Sequence, residues 1–160
     1  MVDCMDYSEK NVTTKINLEG PDVLFTFIYS KCDVEERGKL CRDLSCFNSG
    51  GLPWFVGGYF NVIVDASEKI GGVGHSNRAM EDLRQFMASN SLMDIWFLVC
   101  RYTWYNNRKG ISLTRCRLDR CLSNLLGLDS IPLSTIDHLP RLMSDCAPLG
   151  VSLKKENRRS

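Results

Sequence analysis

The stretch Pro53 to Asp65, "PWFVGGYFNVIVD", holds the most suggestive chemistry in the chain. An apolar run ends in Gly57 and Gly58, a pair that lets one backbone approach another group closely. Tyr59, Phe60 and Asn61 then follow where the chain surfaces, as a turn with a functional look. Asp119 lies in the run Arg101 to Arg120, outnumbered by Arg101, Arg108, Lys109, Arg115, Arg117 and Arg120. Taken alone it reads as an ion-pair partner, and the basic run as a solvated face. The eight cysteines are Cys4, Cys32, Cys41, Cys46, Cys100, Cys116, Cys121 and Cys146. None forms a Cys-x-x-Cys pair and no histidine lies at zinc-finger spacing, so most read as small buried apolar residues. The glycine-rich "KIGGVGHSN", Lys69 to Asn77, lacks the strand-loop-helix setting of a phosphate cradle.

Strand signals dominate the elements around these residues. Val12, Thr14, Ile16 and Leu18 alternate with polar neighbours, which predicts a strand with one dry face. "EGPD" has turn chemistry, and Val23 to Ser30 is apolar on both faces, so the two runs predict a hairpin. Asp33 offers a helix N-cap, with Glu36 three residues on and Leu40, Leu44 and Phe47 at helical spacing. A second helix is expected from a cap at Asn77, with Ala79, Leu83, Phe86 and Met87 as its apolar stripe. "LMDIWFLV" and "YTWYN" read as short strands and "NRKG" as a hairpin turn. The next strand is expected to end near Asp119, and a loop and a last strand close the chain. The class is α+β, a layered sandwich with helices outside.

With 160 residues, 44% of them hydrophobic and 24% charged, the chain suits one globular domain. Its formal net charge of +1 makes no demand for a nucleic-acid or membrane partner. No apolar run reaches bilayer-spanning length, and the first ten residues lack the apolar core of a secretion signal. These readings lead us to expect no membrane role and an intracellular protein, nuclear or cytoplasmic, with its thiols reduced. Oligomeric state has no signature here.

"FIYSKC", "PWFVGGYFN", "EKIGG", "YTWYNN", "RLDR" and "SDCAPL" occur in one order over nearly the whole chain. This order resembles the endonuclease/exonuclease/phosphatase superfamily, and more narrowly the apurinic-type endonuclease domain of plant LINE (non-LTR) retrotransposons. The resemblance implies a DNase I-like fold: a partial four-layer α/β-sandwich, two packed mixed β-sheets flanked by helices. It implies Mg²⁺-dependent phosphodiester hydrolysis on DNA, with no small-molecule cofactor. The domain would span 12–153, after an N-terminal tail of 1–11 and before a basic tail of 154–160. The family's first strands, bearing an Asn and the metal-binding Glu, would precede the match, leaving a sheet edge exposed.

By the same resemblance, Tyr29 supports the phosphate and Asn61 helps hold water and metal-bound phosphate. Asp119 pairs with the catalytic histidine, and Asp145 lies at the metal site. Asp145 and Asn61 would be what remains to hold Mg²⁺. Trp104 packs. Two positions depart from the motifs. Tyr59 stands where the family has the Asp that aligns the attacking water, and a neutral phenol is no substitute for that base. Cys146 stands where the family has His, and a thiol offers no imidazolium to a phosphate oxygen. The resemblance therefore implies a catalytically degenerate endonuclease-like domain. Two other readings stay open: a nucleic-acid-binding module using the Arg101 to Arg120 cations, and an active nuclease whose missing portion is supplied elsewhere.

Overall fold

A computed structural model describes residues 2–17, 21–47, 49–74, 76–95, 101–131, 135–138 and 149–152. Its centre is the expected hairpin. Strand β2 (Asn11–Asn17) pairs antiparallel with β3 (Asp22–Tyr29) over its full length. A crossover helix, α1 (Val34–Cys46), then returns the chain to β4 (Trp54–Tyr59), which lies parallel to β3. Asp33 caps α1 as its sequence suggests: the Glu36 N–H donates to the Asp33 carboxylate at 2.9 Å.

Three departures from the expected elements have physical reasons. Residues 2–7, expected within a tail, form strand β1 (Val2–Tyr7) on the outer edge of β2. All six are exposed, so no apolar alternation announces the strand, and backbone pairing alone places it. It takes the outermost place on that side of the main sheet. Helix α2 (Asn77–Ser89) is capped by Ser76, not Asn77, because the Ser76 hydroxyl accepts from the Ala79 N–H while Asn77 is already helical. Asp119 opens a strand instead of ending one. After β5 (Lys69–Ile70), β6 (Met93–Asp94), β7 (Trp104–Tyr105) and β8 (Arg115–Cys116), strand β9 runs Asp119–Ser123. Helix α3 (Leu125–Ser130) follows, then an antiparallel pair of β10 (Thr135–His138) and β11 (Leu149–Ser152).

The main sheet has the order β1-β2-β3-β4-β9-β6, and a second sheet the order β5-β8-β7. Helices α1 and α2 cover one face of the main sheet. There Leu24, Ile28, Leu40, Leu44, Trp54, Val56, Leu83, Phe86 and Leu122 bury one continuous core. The polar groups inside it are paired. The Trp54 indole N–H donates to the Thr26 hydroxyl at 2.9 Å, and Thr26 also meets the Thr13 hydroxyl at 2.9 Å. On the opposite face Val23, Phe25, Phe55, Ile95, Cys121 and Ile131 pack together, with Phe25 and Phe55 stacked at 4.9 Å. A third, smaller cluster of Ile63, Cys116 and Leu118 joins the second sheet to the first. The α+β sandwich of sheets and outer helices is thus the one expected.

The thiols divide between core and surface. Cys116 and Cys121 are buried, Cys41 is half-buried, and Cys4, Cys32 and Cys46 are exposed. Burial pushes the Cys41 and Cys121 thiols up to about 12, so both stay protonated. Among the described residues no helix is long and apolar enough to cross a membrane.

Candidate functional site

Three strands bring the site together in one row. Tyr29, last in β3, is the register partner of Tyr59, last in β4. Tyr59 in turn is the register partner of Asp119, first in β9. Residues paired across a sheet face the same side, so three residues far apart in sequence share one edge and one face. Tyr29 is 70% exposed, and its ring stacks on Tyr59 with centroids 5.8 Å apart and planes at 29°. Tyr59 packs its other side on Ile63, Cys116 and Leu118.

The two glycines explain how β4 reaches this row. Gly58 has φ +132, a conformation that L side chains rarely adopt. A Cβ there would run into the carbonyl oxygen of Ile28 on β3. Only glycine lets β4 lie this close to β3 while delivering Tyr59 beside Tyr29. The Ser30 N–H donates to the Tyr59 carbonyl at 2.8 Å and the Phe60 N–H to the Leu118 carbonyl at 2.9 Å, so the row's backbone is tied on both sides.

Asn61 follows in a left-handed conformation, φ +55, which asparagine tolerates better than most residues. Its carboxamide is occupied at both ends. The Tyr59 hydroxyl donates to Oδ1 at 3.2 Å, and Nδ2 donates to the Cys32 Sγ at 3.1 Å. Cys32 is a member of the site for which the sequence suggested no role; its place at the end of "FIYSKC", three residues past Tyr29, was the available signal. Thr103 is another. Its buried hydroxyl accepts the N–H groups of both Leu118 (2.9 Å) and Asp119 (3.0 Å), and so sets where β9 begins. Asp119 is 7% exposed.

The structure therefore gathers Tyr29, Tyr59, Asn61 and Asp119. Asp145 and Cys146 lie outside the described residues. Mg²⁺ takes hard oxygen ligands and favours carboxylates. The described part of the site offers a thiol, two phenols, a carboxamide already bonded within the protein, and one carboxylate. That donor set does not fit Mg²⁺. Among the described residues no three His, Cys, Asp or Glu side chains gather as a metal cluster. The carboxylates nearest in kind, Glu68 and Asp94, are engaged elsewhere. Glu68 Oε1 and Asp94 Oδ1 accept from Arg117 at 2.9 and 2.7 Å, and Glu68 Oε2 and Asp94 Oδ2 accept from Arg120 at 2.8 and 2.9 Å.

Those ion pairs correct the basic face expected of Arg101 to Arg120. Arg120 is wholly buried and the Arg117 side chain is 15% exposed, so neither is presented to DNA. Arg115 lies half-buried over the Tyr105 ring, 5.3 Å from its centroid. Arg101, Arg108 and Lys109 do face solvent.

No protein-family model matches the chain, and no curated protein matches it significantly. Solved structures do. The endonuclease domain of TRAS1, a telomere-specific non-LTR retrotransposon, is 16% identical over 98% of this chain and 70% of that one, with a TM-score of 0.65. The 3′ phosphatase NExo from Neisseria, bound to a product DNA hairpin, is 13% identical over 96% of this chain and 70% of its own, with a TM-score of 0.62. TDP2 from D. rerio, complexed with a single-strand DNA product, is 16% identical over 92% of this chain and 61% of its own, with a TM-score of 0.53. These structures share one architecture with this chain. The fold of this chain is the DNase I-like sandwich expected of it.

Proposed function

We propose that this chain is a retrotransposon-derived endonuclease-like domain that no longer hydrolyses phosphodiesters. One observation carries the reading: the Tyr59 ring fills the middle of the Tyr29–Tyr59–Asp119 row and its hydroxyl takes the Asn61 acceptor. Hydrolysis of a phosphodiester needs a base to orient water and positive charge to meet the charge developing on phosphate. At the central position a neutral phenol, held by stacking, supplies neither. Asn61, which the resemblance assigns to water and metal-bound phosphate, is bonded to Tyr59 and Cys32. Losing one such group typically costs ~10²–10⁴-fold in rate, and losses within one constellation need not multiply. The loss of the aligning carboxylate and the capture of the asparagine leave no route to efficient turnover. The test is supercoiled plasmid incubated with the purified protein and Mg²⁺. No nicking above an EDTA control is expected; Mg²⁺-dependent nicking that co-purifies with the protein would refute the reading.

A second reading, retention of DNA binding, rests on Arg108 and Lys109, exposed on the turn between β7 and β8, and on exposed Arg101. Three such cations should give a log-affinity against log-salt slope of at most about −3, at ~0.9 per phosphate neutralised. A flat salt dependence removes it.

A further inference from the structure

Glu68, Asp94, Arg117 and Arg120 form a closed ring in which each carboxylate bonds both guanidiniums, at 2.7 to 2.9 Å. Their placement in the chain gives the ring a direction. Glu68 ends the short turn that leads into β5, and Arg117 directly follows β8, so both flank the second sheet. Asp94 lies in β6 and Arg120 in β9, both strands of the main sheet. The Arg117–Asp94 and Arg120–Glu68 bonds thus cross from one sheet to the other.

We propose that this ring is a latch that closes the β5-β8-β7 sheet onto the six-stranded sheet, and that its release lets the smaller sheet open while the larger stays folded. Among the described residues the strands of the smaller sheet are two residues long, and its apolar cluster is small: buried Ile63, Cys116 and Leu118, with Tyr59, Met80 and Trp104 packed against them. The main sheet keeps its own core beneath α1 and α2 without any of the four charged residues. Further bonds tie the members of the ring to their neighbours, among them Arg120 to the Val62 and Arg117 carbonyls at 3.5 Å. The Arg117 N–H donates to the Glu68 carbonyl at 3.0 Å, and Glu68 Oε2 also accepts the Val64 N–H at 2.7 Å. Arg101 reaches the neighbouring Ser67 carbonyl at 3.0 Å. A ring of this kind is all-or-none: with one carboxylate neutralised, buried Arg120 loses one of the two charges it bonds and the crossing bonds weaken together.

Amide hydrogen exchange read by NMR tests the latch. The N–H groups of Thr103, Asn106 and Arg117, bonded to Cys116, Thr114 and Glu68, report opening of the smaller sheet. Their opening constants are expected to exceed the global unfolding constant from urea denaturation by about tenfold or more, as for a separate cooperative unit. Glu68→Gln should raise them by a further tenfold or so. If Glu68→Gln does not fold, Asp94→Asn, at the wetter corner of the ring, is read the same way. Opening constants equal to global unfolding, or unchanged in the variant, overturn the proposal. So does failure of both variants to fold, since the ring would then hold the whole molecule.

Discussion

Replacing Gly58 by alanine is expected to destabilise the fold by about 2–6 kcal/mol. The figure combines ~1–3 kcal/mol for a residue forced into a conformation that suits glycine with ~1–3 for overlap in a packed interior. Both terms apply because φ at Gly58 is +132 and the atom met by the new Cβ is a backbone carbonyl, Ile28 O, not the end of a mobile side chain. Relief would require β3 and β4 to separate, and that would unstack Tyr29 from Tyr59 and pull on the Ser30 to Tyr59 backbone bond. A single-domain stability is typically about 5–15 kcal/mol, so the variant should be partly unfolded or absent from the soluble fraction. The check is the urea midpoint at unchanged slope. Gly57→Ala gives the contrast: its Cβ would sit 3.4 Å from the Cys121 sulfur, in ordinary contact, with no left-handed backbone. A loss under about 1.5 kcal/mol is expected there.

Glu68→Ala is expected to cost about 3–5 kcal/mol, the usual price of leaving a buried charge without its partner. The charge left behind is chiefly Arg120, wholly buried, which would keep Asp94 and, at 3.5 Å, the Val62 and Arg117 carbonyls. The pH dependence follows from Glu68 itself. Burial raises its carboxyl, but the Arg120 charge, hydrogen bonds from Arg120 and Val64, and the Arg117 charge outweigh this and hold it below the ordinary value. A carboxylate depressed in the folded state contributes stability that is present above its unfolded pKa and lost as pH falls through the folded one. Wild type should therefore lose stability on acidification, while Glu68→Ala loses less, and the two should converge at acid pH. Thermal melts of both proteins from neutral to acid pH check the sign.

How far the residues foretold this molecule depends on whether the deciding interaction was local. The β2–β3 hairpin was legible because alternation and a turn are written within twenty residues, and Asp33 capped α1 because its partner, Glu36, is three residues away. Strand β1 was not, because an edge strand with both faces in solvent needs no apolar pattern. The row at the site was half legible. The ordered motifs named Tyr29, Tyr59, Asn61 and Asp119, and the register of β3, β4 and β9 brought them together. Nothing local said that Asn61 would turn to Cys32, or that Thr103 would fix the start of β9. The basic run misled for the same reason. Arg117 and Arg120 looked like a solvated face because their partners, Glu68 and Asp94, lie 23 or more residues away and meet them only in the folded chain.

On the proposed reading Tyr59, stacked on Tyr29 and bonded to Asn61, is a structural residue where phosphodiester chemistry would need a carboxylate and an available carboxamide. The side-chain amide signals of Asn61, followed by NMR through a Mg²⁺ titration, report on that arrangement directly. Signals that stay in place, still reporting the bonds to Tyr59 and Cys32, are the predicted result. A saturable Mg²⁺-dependent shift at Asn61, accompanied by release of the Tyr59 hydroxyl, would contradict it.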